Sequence, residues 1–343
     1  MEAFIHRIPK AELHLHIEGT LEPELMFELA AKNGQSLPFA SIAEARRAYD
    51  FTDLQSFLEI YYRGVEVLRD EEDFYRLTWA YLRKASEQNI RHTEIFFDPQ
   101  IHTARGIKFE TVLHGIHGAL IDAELQMGLS SKLIMCFLRH LSVPEALETL
   151  RQALVYKDWI TAVGLDSTEL GFPPENFKPL FDLARQYGFK AVAHAGEEGP
   201  AEYIWQALKQ LGVKRIDHGV RCVEDPRLVA YLVKNQIPLT VCPLSNVKLR
   251  IFEHMHQHNL LQMLKRGLCV TVNSDDPAYF GGYIEENFLA LRQACGLGFR
   301  DAYKLSRNAF QASFLDPAKK KELLDELDAF VYHFGEENTE PVR

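Results

Sequence analysis

Cysteine is scarce: five residues among 343, at 136, 222, 242, 269 and 295, widely separated and without a C-x-x-C pair. An odd, scattered set excludes a disulfide framework and cysteine-rich structural zinc modules, and reads as reduced thiols among apolar neighbours. No run approaches the ~20 apolar residues of a membrane span, and the opening Met1 to Pro9 lacks the apolar stretch of a secretory leader. A cytoplasmic chain with no membrane partner is expected. Lys and Arg total 38 against 48 Asp and Glu, a formal net charge of −10. Nowhere do the basic residues form the stripe that a phosphate backbone requires, so nucleic acid is not an expected partner. Linkers, repeats and low-complexity stretches are also missing, which makes residues 1–343 a single expected domain. Only the tail after Phe334 reads as frayed.

What is present is an ordinary globular balance, 47% hydrophobic and 25% charged, with enough apolar residues for a sizeable core. Short apolar runs rich in β-branched residues recur, each followed by helical spacing, which is the pattern of repeated βα units. Strands are predicted at 11–17, 92–98, 132–139, 161–167, 191–196, 215–220, 237–243 and 269–275. Their nearly uniform apolarity suits a parallel sheet covered outside and filled inside, and an α/β fold of the (β/α)8 TIM-type barrel follows most economically. Residues 179–187, 201–211, 226–235 and 259–266 space their apolar side chains three or four apart, as covering helices do. A long insertion follows the first strand, and 54–62 within it has a bulky apolar face suited to a lid over the barrel mouth. Closing helices are predicted at 283–295, 300–312 and 317–332.

Several strands carry polar residues that a barrel core should not contain. In E-L-H-L-H-I-E-G, from Glu12 to Gly19, His14 and His16 are two apart and so share one face of the first strand. Alone, H-x-H is more often a pair of hydrogen-bonded histidines than a metal site. Yet H-A-G-E at 194–197 ends the fifth strand, D-H-G at 217–219 the sixth, and S-D-D-P at 274–277 the eighth. All converge on the C-terminal mouth, where barrel enzymes build their sites, and together they point to metal catalysis.

These motifs, in this order and together with P-K-A-E-L-H-L-H from Pro9, resemble the adenosine/adenine deaminase family of metal-dependent hydrolases over nearly the whole chain. The resemblance implies that His14, His16, His194 and Asp275 bind one Zn²⁺, with Fe²⁺ as the alternative, leaving a position for water. It implies further that Glu197 protonates purine N1, that His218, with Asp275, orients or deprotonates the water, and that Asp276 holds purine N7. Each residue also has a plainer reading: Glu197 as a helix-start acid, His218 as a core histidine, Asp276 as a cap before Pro277. His254, His256 and His258 sit among polar residues and read as a solvated segment. Arg139-His140 also resembles the family, as pocket support or lining. The H-x-E at 16–18 imitates the cytidine-type zinc deaminases, but their P-C-x-x-C partner is missing. Two-metal relatives of the barrel end the fourth strand in a lysine, whereas this one ends in Asp166-Ser167, so one metal is expected.

Adenosine deaminases carry Asp where this chain has Glu18. On an extended first strand Glu18 would share the face of His14 and His16 and intrude on a ribose, favouring a free base. Residues 17–25 and 97–100 also resemble the branch of the family that acts on adenine. Ser167 and Glu169 replace the usual glycine-bearing turn near purine N3 and are candidate contacts to that edge. Phe57, Leu58 and Tyr61 resemble a hydrophobic gate, though simple packing explains them equally well. The expected reaction is hydrolytic deamination of a purine base, adenine to hypoxanthine and ammonia. The alternatives are an adenosine deaminase and a noncatalytic purine-binding protein on the same scaffold. The sequence leaves the oligomeric state open.

Overall fold

The computed structural model describes residues 1–338. Eight parallel strands follow one another around a barrel in chain order: β1 (Lys10–His16), β2 (Ile90–Phe97), β3 (Ser130–Leu138), β4 (Ile160–Asp166), β5 (Lys190–Ala195), β6 (Arg215–His218), β7 (Leu239–Val241) and β8 (Val270–Val272). The ring closes through a parallel bridge between Leu15 and Asp275: the His16 N–H donates to the Asp275 carbonyl at 3.0 Å, and the Asp275 N–H to the His14 carbonyl at 3.1 Å. The expected (β/α)8 barrel is therefore observed.

The last two strands are shorter than the sequence suggests. After Val241 the chain turns at Cys242 into the helix Pro243–Lys248, and after Val272 the Asn273 N–H still donates to the Val241 carbonyl at 3.0 Å while its side-chain oxygen, in place of a strand carbonyl, accepts the Leu13 N–H at 2.8 Å. Burial divides the apolar residues into three bodies. Phe96, Ile134, Cys136, Ala162 and Val192 fill the barrel interior, and a far larger set packs the outer helices against the strands. A third cluster, including Phe51, Phe57, Tyr61, Tyr279 and Phe280, belongs to the lid region.

The insertion after β1 is helical, with Pro23–Lys32, Ile42–Ala48, Leu54–Gly64 and Glu71–Glu87. The closing helices are Ile284–Cys295, Phe299–Ala312 and Pro317–Asn338. The last runs past Phe334, where fraying was expected, to Asn338, because Phe334 is held against Phe4 and Phe330; residues 339–343 lie outside the described part. All five cysteines are free thiols, four buried and Cys295 partly so. Among the described residues no helix is long and apolar enough to cross a membrane.

Candidate active site

Four strands at the C-terminal mouth leave the sheet through a left-handed residue: Ser167 after β4 (φ 71°), Gly196 after β5 (73°), His218 at the end of β6 (62°) and Asp275 after β8 (65°). For the three non-glycine residues this conformation costs roughly 1–3 kcal/mol each, and it persists only where the surroundings over-determine it. Its effect is to turn side chains from the barrel wall towards the axis.

There the donor atoms meet. His14, His194, His218 and Asp275 each offer one ligand atom within 4.8 Å of the others, all buried. His16 joins them through Nε2, 3.2 Å from His194 Nε2 and 3.5 Å from Asp275 Oδ1, while His14 Nε2 lies 3.1 Å from the same Asp275 oxygen. The outward ring nitrogens show which tautomer each histidine takes. The Thr240 hydroxyl donates to Asp217 (2.9 Å), so it must accept from His14 Nδ1 (3.0 Å). His16 Nδ1 faces Asp98 (3.8 Å) and Asp166 (3.6 Å), and His194 Nδ1 faces Asp217 (3.6 Å). With protons drawn to Nδ1, the Nε2 atoms of His16 and His194 face each other at a separation that repels unless a shared proton or a metal cation lies between them. Ligands about 2.1 Å from a tetrahedral centre lie about 3.4 Å apart, in keeping with this spacing. Imidazole nitrogen and carboxylate oxygen are a donor set that zinc accepts. The residues therefore fit a single divalent ion.

Glu197 and His218 stand beside this cluster, with His218 Nδ1 3.4 Å from Glu197 Oε1. Burial, then Asp275 and Glu169, push the Glu197 carboxyl well above the usual range, which favours its protonated form. Burial and then His14 lower His218 to about 3, keeping the imidazole neutral. Asn246, which carried no signal in the sequence, donates to Glu197 at 2.8 Å and lies 3.3 Å from His258. His258 thereby corrects the solvated reading: His254 and His256 are exposed, but His258 is buried and lowered to about 3 by that burial. No local pattern distinguished it from its neighbours. Asp276 is also buried, and its carboxylate occupies the space a Cβ on Gly19 would need, only 2.0 Å away.

The cavity over the cluster is lined on one side by Glu197, His218, Asp275 and Asp276, and elsewhere by Asp98, Asp166 and Ser167. Phe57, Leu58 and Tyr61 also line it, from the lid helix. Arg139, behind it, donates to the His194 carbonyl at 2.8 Å, and His140 Nδ1 lies 2.8 Å from the Ser167 hydroxyl. Two expectations need correction. Glu169 is buried outside the lining, where its carboxylate accepts the N–H groups of Gly196 (3.0 Å) and Glu197 (2.9 Å); it holds the turn and is turned away from the cavity. Glu18 is likewise outside the lining. β1 ends at His16, so strand alternation does not extend to Glu18, which opens a 3-10 turn and accepts from His102 Nε2 (2.9 Å) and the Asp98 N–H (3.2 Å). Asp98 and Asp166 were missed as site residues because residues 97–100 and Asp166-Ser167 entered the sequence reading only as marks of resemblance and of a single-metal site, and a lone acid at a strand end carries no ligand spacing of its own.

The adenosine deaminase family model matches residues 9–330, and the chain belongs to that family. It is thereby a metal-dependent hydrolase barrel. The adenine deaminase of Hahella chejuensis is 58% identical over 331 residues, covering 96% of this chain and 99% of its own. The crystal structure of adenine deaminase from Arthrobacter aurescens superposes with a TM-score of 0.93 at 50% identity, covering 95% of this chain and 99% of that one. An amidohydrolase from Burkholderia ambifaria with bound Zn is 26% identical with a TM-score of 0.85, covering 96% and 94%.

Proposed function

We propose that this chain is a zinc-dependent adenine deaminase, converting adenine and water to hypoxanthine and ammonia in purine salvage. The observation that carries the reading is geometric: a carboxyl, a neutral imidazole and a second carboxyl, from Glu197, His218 and Asp276, surround a cavity whose floor is the His/Asp donor cluster. Relatives named adenine deaminase, similar over almost the whole chain, support the choice of substrate.

His14, His16, His194 and Asp275 would hold the ion, and Zn is what the Burkholderia neighbour contains. When bound, a zinc ion supplies Lewis acidity, lowering the pKa of a water towards about 7. His218, neutral and beside the donor cluster, would take up a proton from the attacking water and orient it towards C6. Glu197, in its protonated form, donates to N1, which makes C6 more electrophilic and settles the ring nitrogen in its product state. Asp276 binds N7 and fixes the plane of the base. Phe57, Leu58 and Tyr61 close over the ring and limit water, while Ser167 sits at the far edge of the cavity. Ammonia leaves as the C6–N bond breaks: the proton taken up by His218 passes to the amine, and the proton of the C6 hydroxyl returns to Glu197 as the C6 carbonyl forms, which restores the acid.

The test is an ammonia-release assay with adenine, adenosine and AMP, with metal content measured on the same sample. Adenine should be preferred by kcat/KM, with close to one zinc per chain. Preference for adenosine would move the chain to the adenosine-specific reading, and an absence of turnover in metal-replete protein would leave a purine-binding protein.

A further inference from the structure

We infer that Asp98 is the residue that selects the free base, accepting the N9–H that adenine has and any nucleoside lacks. This rests on the adenine reading above. Asp98 follows β2 at the N-cap position of the short helix Pro99–Thr103, where its side chain makes no capping hydrogen bond, and Asp166 is the last residue of β4. Both line the cavity, at 3% and 2% exposure. Each turns one carboxylate oxygen towards His16 Nδ1, and each leaves Oδ1 buried with no partner but the neighbouring carboxyl, since Asp98 and Asp166 lie close enough to act on one another. Buried acceptors of this kind call for a hydrogen-bond donor, and a bound ligand's N–H can be one.

The only ligand edge not already assigned supplies one. With C6 over the donor cluster, N1 at Glu197 and N7 at Asp276, the base presents its N3 and N9–H to the remaining polar wall. That wall contains Asp98, Asp166, the Ser167 hydroxyl already bound to His140, and the buried Tyr61 hydroxyl, which has no partner. A free purine edge pairs an acceptor, N3, with a donor, N9–H. The wall offers a donor, Tyr61, together with two acceptors, both held by their backbones: the Asp166 carbonyl accepts the Arg139 N–H at 3.1 Å, and Glu18 accepts the Asp98 N–H at 3.2 Å, which makes Asp98 the acceptor tied to the first motif. Glycosylation would remove the N9 proton, leave the carboxylate without a partner and place sugar carbons where it stands. Glu18 then acts on selectivity as a positioning residue, through Asp98.

Adenine and 9-methyladenine differ at this edge alone. Their kcat/KM values should be measured for wild type, Asp98→Asn and Asp98→Ala, alongside metal content and thermal melts. Calorimetry should compare hypoxanthine with 9-methylhypoxanthine on the wild type. Wild type should favour adenine by about 10⁴-fold, the scale at which sites built to hydrogen-bond a group reject an analogue lacking it. Asp98→Asn, equal in volume but uncharged, should lose about 10²-fold on adenine with little change on 9-methyladenine, so that the ratio collapses; Asp98→Ala should do the same. Equal losses on both substrates would make Asp98 a mere support for His16 and overturn the inference, as would a wild type that binds the two hypoxanthines alike, a result that needs no variant to fold. If the wild type releases no ammonia from adenine, the functional reading itself fails and this inference falls with it. Strong adenine turnover with an unchanged ratio sinks the inference alone.

Discussion

Single side chains at this site are set by what lies behind them. Asn246 holds Glu197, the Thr240 hydroxyl and Asp217 fix the His14 tautomer, and Glu169 ties down the backbone of Gly196 and Glu197. Glu197→Gln keeps this scaffold while removing the transferable proton. It should therefore retain metal and lose about 10²–10⁴-fold in kcat, measured with metal content by emission spectroscopy; near-normal turnover would remove Glu197 from the role. Gly19 is needed for a different reason. A Cβ there would fall 2.0 Å from an Asp276 oxygen, so Gly19→Ala must push that carboxylate out of place. Adenine turnover should drop by at least about tenfold with bound metal unchanged, and a variant as active as wild type would show that Asp276 does not need its present position. Gly19 was visible in the sequence as part of the first motif, but its purpose was not, since the contact joins residues at opposite ends of the chain.

Among the elements, the lid helix Leu54–Gly64 shows how local and distant information combine. Its start was readable: Asp53 accepts from the Ser56 N–H at 2.8 Å and Ser56 returns a contact to the Asp53 N–H, forming a capping box. Its apolar face was readable too. Its packing partners were not, because Leu249, Tyr279 and Phe280 come from segments after β7 and β8. Since the lid packs in a cluster separate from the barrel core, loosening it should leave the barrel intact. Asp53→Ala, which removes the cap, should raise amide exchange in 54–64 about fivefold, with no change in the strands, as followed by hydrogen-exchange mass spectrometry. Uniform exchange changes across the protein would contradict a separately cooperative lid. Strand identity was the most readable level and strand ends the least. The left-handed residues at or beyond the ends of β4, β6 and β8 are Ser, His and Asp, and nothing in their local sequence marks them as turning points.

Taken as a whole, the barrel is closed from below by a buried ion pair. Arg215 on β6 donates to Glu94 on β2 at 2.6 Å, and the same guanidinium reaches the Leu13 carbonyl on β1 at 3.0 Å. Burial alone would raise the Glu94 pKa, but Arg215 and His92 outweigh it and bring it from 4.5 to about 2. A carboxyl held lower in the folded state than in the unfolded one adds stability above the unfolded value and forfeits it as the pH falls. The contribution, about 3 kcal/mol by linkage, should be complete above pH 4.5 and disappear towards pH 2. Denaturation curves of wild type and Glu94→Gln should therefore differ most above pH 4.5 and converge in acid; parallel curves would exclude this pair as the cause of acid instability. The metal is expected to couple the whole molecule in the same way. Chelation should abolish turnover and lower the melting temperature, since the four ligands come from β1, β5 and the turn after β8, and zinc should restore both. A melting temperature indifferent to chelator would argue against an ion at this position.

Sequence alone was enough for the periodic and the chemically unusual. Apolar runs at regular intervals define parallel strands covered by helices, and histidines and acids at strand ends have no place in such a wall unless they meet at its mouth. Those inferences depend on residue type and spacing, which the chain carries locally. The tertiary structure alone decided where the chain leaves each strand and what lies opposite. One residue of early termination took Glu18 out of line with His14 and His16 and placed it behind Asp98, and the turn after β4 sent Glu169 to the Gly196 and Glu197 backbone. Such assignments depend on left-handed turns and on contacts between residues far apart in the chain, where small changes of direction redirect a whole side chain.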